Sequence, residues 1–237
     1  MEHFEIHSLL EKYDLRFSAA QENLLAAFVA DVCAQNKLYN LTGFREEKDI
    51  AEELVCRSIV PLKNLNVPRG TRAADMGSGA GAPGIPLAAV FPEISWALFD
   101  SNAKKTSFVE TFARRAGLAN ISTVTGRIEE LPPDFRDSFG FVVSRAMAGV
   151  YICVELGAPL LQKGGLLYLY SGPENLPDKV MSHCEACGLL LCGDEKRQAA
   201  GVGGEGLLFE KIIEGGAPAR RFPAIKRGAA KAEGALV

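Results

Sequence analysis

The sequence predicts an open α/β fold with a mainly parallel sheet, and three observations carry that prediction. Past residue 70, short apolar runs alternate with helical stretches, the pattern of strands joined by right-handed crossovers. The first junction is a glycine-rich turn, Asp75-Met-Gly-Ser-Gly-Ala-Gly-Ala-Pro-Gly84, between a strand-like run at 71–76 and a helical one at 85–91. Ahead of both lies a leader with helical periodicity only. The 237 residues, 48% hydrophobic and 23% charged, suffice for one sizeable core with a small appendage.

Ser18-Ala-Ala-Gln21 reads as a capping box, and Leu25, Phe28, Val29 and Val32 then recur at helical spacing, which predicts a helix running to about Asn36. A second helix is predicted over 47–62, with Ile50 and Leu54 opposite a cluster of charges. Pro68-Arg-Gly70 then punctuates the chain. Strands are predicted at 71–76, 95–99, 121–125, 139–144, 165–170, 189–195 and 207–213, with helices at 83–91, 102–116, 150–161 and 174–187. The last two strands, joined by the 201–206 loop without a helix, predict an antiparallel hairpin. The expected organisation is a helical cap (1–66), a ligand-binding α/β domain (67–215) and a basic tail (216–237).

A net charge of −3 argues against a surface wholly given to phosphate. The tail departs from it: from Ala219 onward come Arg220, Arg221, Lys226, Arg227 and Lys231 against Glu233. Two readings stand for it, a solvated terminus or an arm on nucleic-acid phosphate. Six cysteines, with no secretory signal and no scaffold spacing, point to the cytoplasm. His183-Cys184-Glu-Ala-Cys187 has the right ligand types for a metal, but no second pair has zinc spacing and the other histidines are His3 and His7, so no metal is expected. No apolar run approaches the ~18 residues of a bilayer span.

Ligands of such sheets lie beyond the carboxyl ends of the strands. Gly77, Gly79 and Ala82 fit the dinucleotide fingerprint G-x-G-x-x-G/A, yet two acids favour S-adenosylmethionine. Asp75 precedes the first glycine, where a carboxylate meets an amine or a water near a methionyl group but repels a pyrophosphate. Asp100 closes Trp96-Ala-Leu-Phe-Asp100 and is placed to accept from ribose hydroxyls, an acid that a nicotinamide dinucleotide also wants. Gly126-Arg127-Ile128-Glu129-Glu130 either frames an adenine or caps a helix start. Arg145, in Ser144-Arg145-Ala146 at the end of an apolar strand, needs a partner, either a ligand or an ion pair with Asp75, Asp100 or a glutamate. That exit lacks the acid-Pro-Pro-aromatic turn of exocyclic-amine methylation and a Pro-Cys nucleophile. What remains is transfer to an atom with a ready lone pair, such as an aromatic ring nitrogen, for which alignment supplies most of the catalysis.

Asn40-Leu-Thr-Gly-Phe-Arg45, the loop 75–84 continuing into Ile85-Pro-Leu87, Asp100-Ser101 with Lys104-Lys105, Arg127-Ile-Glu129 and Ser144-Arg-Ala146, in this order, resemble the RsmG (GidB) family. Its members are bacterial small-subunit ribosomal RNA methyltransferases that place a methyl on guanine N7 using S-adenosylmethionine. The resemblance covers residues 20–215 and implies the class I S-adenosylmethionine-dependent methyltransferase (Rossmann-like) fold, a mainly parallel seven-stranded sheet ending in an antiparallel hairpin strand. It implies a cofactor pocket of Gly77, Ala82, Ile128, Glu129 and Arg145, which Asp75 and Asp100 join by the arguments above. Gly79 and Gly81 shape the loop around Ser78, and Asn40, Arg45 and Arg145 are candidates for the substrate wall; no general base is assigned. The implied partner is small-subunit rRNA or the assembled subunit, met by a cytoplasmic monomer without a membrane.

Departures lie away from the cofactor. Members usually show Arg-His before Ile-x-Asp-Ser, whereas Cys56-Arg57-Ser58-Ile59-Val60-Pro61 puts Arg57 and Val60 at the histidine and aspartate. Ser171-Gly172 replaces a Lys-Gly, and Gly206 an arginine; each change removes a polar group that positions phosphate or base. Other readings are a divergent methyltransferase with another substrate, a dinucleotide-dependent oxidoreductase and a noncatalytic RNA-binding assembly protein. Calorimetric binding of the donor without nicotinamide binding eliminates the oxidoreductase.

Overall fold

The computed structural model describes residues 5–173, 175–216, 219–220 and 222–233, without the side chains of Phe222 and Glu233. His3, Arg221 and the expected helix start at 174 lie outside the described residues. Seven strands form one sheet in the order β3-β2-β1-β4-β5-β7-β6. They are β1 (Arg72–Met76), β2 (Ser95–Asp100), β3 (Ile121–Thr125), β4 (Phe139–Ser144), β5 (Leu161–Leu169), β6 (Leu189–Leu191) and β7 (Leu207–Lys211). The first five are parallel, while β7 pairs antiparallel with both β5 and β6. Strand order reverses between β1 and β4, which opens a ligand crevice beyond their carboxyl ends.

The leader folds as α1 (Ile6–Lys12), α2 (Ala19–Asn36), α3 (Glu47–Ile50), a π-helical turn (Ala51–Cys56), α4 (Arg57–Ile59) and a 3₁₀ turn (Val60–Leu62). The capping box forms as its residues predict: Ser18 Oγ accepts from the Gln21 amide, and Gln21 Oε1 accepts from the Ser18 amide. Leu25, Phe28, Val29 and Val32 are all buried, and Phe28 meets Phe112 edge-on at 5.5 Å. Cap and sheet share one hydrophobic cluster that runs from Phe28 and Ile50 to Trp96 and Phe141. Trp96, the single tryptophan, is 1% exposed and stands edge-on to Phe141, 6.4 Å between centroids.

In the body, α5 (Gly84–Val90) follows β1, α6 (Ala103–Ala116) follows β2, α7 (Val150–Gly157) follows β4 and α8 (Asp178–Ala186) follows β5. α6 is bounded by Asn102, whose side chain accepts from the Lys104 amide, and by Gly117 at φ 69°. The second cluster, on the other sheet face, joins Phe99, Phe139 and Phe209 to α7, α8 and α10 (Phe222–Glu233).

Four expectations change. β5 starts at Leu161 rather than 165, because a bulge between Phe139 and Phe141 lets the strand continue through Gly164, at φ 78°. β6 stops at Leu191, and the connection expected to lack a helix contains α9 (Asp194–Ala199), whose acids lead and whose bases follow, as the helix dipole favours. α7 stops at Gly157 instead of 161, because 158–160 turn the chain into β5, which begins at Leu161. The basic tail is helical over α10, with Ile225 and Ala229 buried against α7 and α8. Gly228 lets it approach, since a Cβ there would come within 2.8 Å of Tyr151 Oη. All six cysteines are free, and among the described residues no helix is long and apolar enough to cross a membrane.

Candidate active site

The turn between β1 and α5 is drawn onto β2. The Gly77 and Ser78 amides both donate to Phe99 O at 2.9 Å, and the Gly79 amide donates to Asp100 Oδ2 at 2.9 Å. Asp100 Oδ1 accepts from the Asn102 amide at 2.8 Å, so two main-chain groups fix this carboxylate in place and leave it lone pairs for a further donor.

Beyond it opens a cavity of about 330 Å³. Gly77, Asp100, Ile128 and Glu129 line it together, from the exits of β1, β2 and β3, with Ala146 and Met147 from the exit of β4. Phe99, Ile128, Met147 and Leu156 make apolar walls, and Lys105 and Arg127 stand at its edge. Glu129 accepts from Arg127 Nε at 2.8 Å with its own side chain only 4% exposed. At Gly77, φ is +74° and an added Cβ would come within 2.7 Å of Met147 Cγ, so both the conformation and the close approach require glycine.

The other loop residues act from behind the cavity. Ala82 packs against the core shared with the cap, and the Gly81 and Ala82 amides donate back to Ser78 O at 2.7 and 3.1 Å. Asp75 is fully buried: Oδ2 accepts from the Gly84 amide at 2.9 Å, and burial pushes its carboxyl up to about 7. A Cβ at position 84 would lie 2.9 Å from Asp75 Oδ2 and 2.6 Å from Leu98 Cγ, which is why glycine opens α5. Asp75 Oδ1 and Ser78 Oγ are buried with no hydrogen-bond partner among the described residues. A backbone at Gly77 with no room for a Cβ, apolar walls and a fixed carboxylate together fit a nucleoside.

Arg145 points elsewhere. Its Nη1 donates to Glu53 O at 2.5 Å and to Ser58 Oγ at 3.2 Å, tying the exit of β4 to the cap instead of pairing with a carboxylate. Tyr170, at the exit of β5, donates to Ser58 O at 2.6 Å, and its burial pushes the phenol well above its ordinary value. Sequence reasoning missed Tyr170 and Ser58 as site residues; they are 112 positions apart, and no local signal pairs them. Ala146, next to Arg145, has φ +53°, so this anchored exit is also a strained one.

Asn40 and Arg45 are exposed and bonded to each other, Arg45 Nη2 donating to Asn40 Oδ1 at 2.9 Å. Their loop winds around Asn36, also missed, which accepts from the Leu41 and Thr42 amides at 2.9 Å and donates to Phe44 O at 2.6 Å. Tyr39 Oη donates to Lys104 O at 3.3 Å, which sets this loop beside the start of α6.

Of the departures, Arg57 is exposed and pairs with Glu53 Oε1 at 3.0 Å. At position 206, a Cβ would lie 2.4 Å from Leu169 O and from Tyr168 Oη. Arg197 of α9 instead clamps this loop, donating to Gly203 O, Gly204 O and Gly206 O at 3.1, 2.8 and 2.7 Å. Gly206→Arg is therefore expected to lower the melting temperature by several degrees, by overpacking of about 1–3 kcal/mol; a thermal melt matching the parent would contradict this packing.

A family model described as rRNA small subunit methyltransferase G (GidB) matches residues 21–190. The chain is 33% identical over 168 residues to ribosomal RNA small subunit methyltransferase G of Thermotoga neapolitana, covering 71% of this chain and 72% of that protein. With the protein of that name from Desulfitobacterium hafniense the identity is 34% over 178 residues, 73% of each. A methyltransferase solved in complex with the Haloferax volcanii Trm112 activator superposes with a TM-score of 0.51 at 14% identity, over 80% of this chain and 98% of that one, which speaks to the fold alone. With well over half its length matched and its glycine loop and strand exits converging on one cavity, the chain belongs to the rRNA small subunit methyltransferase G family.

Proposed function

We propose that this protein transfers the methyl group of S-adenosylmethionine to N7 of a guanine in 16S ribosomal RNA, working as a cytoplasmic monomer on the small subunit or its RNA. The observation that carries the reading is the cavity shared by the exits of β1 to β4, with Asp100 fixed in its wall, in a chain of this family. When bound, the donor supplies a methyl on a positively charged sulfur, which the N7 lone pair takes without a proton having to leave first. Asp100 would hold the ribose hydroxyls. Ile128, Glu129 and the apolar wall of Phe99 and Leu156 would hold the adenine and keep water from it. Asp75 and Ser78, buried behind the turn and outside the cavity lining, would brace the loop from beneath instead of touching the donor. Arg145 and Tyr170 hold the cap against the sheet edge, and Asn40 and Arg45 stand on the cap as the substrate wall. Positioning, not acid–base chemistry, is then the enzyme's contribution.

Purified protein given labelled donor and undermethylated small subunits should yield 7-methylguanine at one site. Label found only on protein or metabolites would reject the reading.

Asp75 gives a second check. Its folded pKa of about 7 lies above the ordinary 3.8, so the folded chain keeps a proton that the unfolded chain has shed. Its contribution to stability therefore falls as pH rises from 3.8 to about 7 and is level above. Asp75→Asn should flatten that part of the melting-temperature profile; a profile unchanged from the parent removes this role.

A further inference from the structure

α10 lies beyond the residues that the family model matches, and its charge is unlike the rest of the molecule. In a chain of net charge −3, the stretch from Ala219 holds five cations against one acid. The helix sorts them. Ile225 and Ala229 face α7 and α8, while Lys226, Arg227 and Lys231 are exposed, and at about 100° per residue these three share the opposite half of the cylinder. None of the three has an ion-pair partner among the described residues. The nearest buried acid, Glu155, is already engaged: Arg220 donates to it twice from its guanidinium, at 2.7 and 2.6 Å, and His183 lies 3.3 Å away.

Anchors on α7 also fix the place of α10. Arg220 is tied to Glu155 and to Tyr151 Oη, against which Gly228 packs as well. α10 thus lies on α7, the helix that starts just past the exit of β4, where Ala146 and Met147 line the cavity. The segment entering α10 passes close by, with Ala219 sharing a small crevice with Ile128 and Glu129. The apolar side of α10 is spent on α7 and α8, so the exposed side has only charge to offer.

We propose that α10 is a second RNA contact: a rigid strip in which Lys226, Arg227 and Lys231 bind backbone phosphates of the substrate RNA beside the target guanine. This rests on the rRNA reading of the active site. The occupant is argued from charge complementarity and reach. Six residues of helix, five rises of about 1.5 Å, carry the three cations over about 7.5 Å, about two phosphate spacings of one strand measured along a duplex axis. Such contacts orient the RNA without reading its sequence, and they make binding salt-dependent.

The test compares the full-length parent with the triple variant K226Q/R227Q/K231Q, whose positions touch neither the cavity nor the core, and with the charge-preserving pair K226R/K231R. Donor affinity by calorimetry should be the same in all three. Affinity for undermethylated small subunits should fall by about tenfold or more in the triple variant. The slope of log K against log salt should become shallower by about 2–3, at 0.7–0.9 per lost phosphate contact. The charge-preserving pair should behave as the parent. Equal subunit affinity and equal salt slope in parent and triple variant would overturn the proposal, as would a charge-dependent affinity for vesicles containing phosphatidylglycerol with none for subunits. A parent that binds subunits through α10 yet transfers no methyl overturns the activity reading and leaves this one standing. A parent that methylates normally alongside an indistinguishable triple variant does the reverse.

Discussion

Gly77→Asp is expected to abolish donor binding, with a loss of about 100-fold or more in calorimetric affinity, roughly 2.7 kcal/mol, and no methyl incorporation by a chain that still folds. The backbone at 77 has φ +74°, a conformation that costs a residue with a Cβ about 1–2 kcal/mol. The new Cβ would start 2.7 Å from Met147 Cγ, and the carboxylate beyond it would occupy a cavity of about 330 Å³. Methionine is flexible and can yield, so Gly77→Ala should lose less, which separates the filling of the cavity from backbone strain. Unchanged donor affinity in a folded Gly77→Asp protein would remove this cavity from the cofactor's site.

Arg145→Ala is expected to loosen the cap. It deletes charged hydrogen bonds to Glu53 O and Ser58 Oγ, each worth about 1.5–3 kcal/mol. A total near 3 kcal/mol lowers the melting temperature of a chain this size by about 6–12 °C. The turnover should drop at least about tenfold, because the strained Ala146 and the cavity-lining Met147 follow directly on the lost anchor. The family resemblance implies a different outcome, a direct cofactor contact. A fall in stability and turnover with donor affinity intact identifies a pin between cap and sheet; a fall in donor affinity with the melting temperature unmoved restores the cofactor contact. Arg145→Lys, which keeps the charge but not the fork, should recover part of the stability.

The sheet was legible because its period changes are plain: apolar runs such as Phe139–Ser144 cannot be read as amphipathic helices, and glycine or asparagine marks where α6 begins and ends. The cavity was legible for the same reason. Gly77, Asp100, Ile128 and Glu129 each lie at or just past a strand's end, and strands in parallel deliver their exits to one edge. The direction of Asp75 was not. β1 is buried on both faces, so alternation carries no information about which side chain meets the crevice and which is locked beneath the loop. Arg145 was legible as a charge needing a partner, but the partner is a main-chain carbonyl 92 positions away, and any residue type can supply one. α10 stayed hidden because its buried stripe is only Ile225 and Ala229 between lysines, arginines and glycine, a composition that reads as a tail until α7 supplies the surface it covers.

Trp96 has a practical corollary. As the chain's only indole, it lies in β2 at the seam where cap and sheet share their core, 1% exposed and against Phe141. Excited at wavelengths that the five tyrosines do not absorb, the chain therefore emits from a single indole, shielded from solvent in the native state. A red-shifted emission reports water reaching that seam, and a titration with cofactor that moves the spectrum at constant temperature would register a rearrangement deep between the two layers rather than an event at the mouth of the pocket.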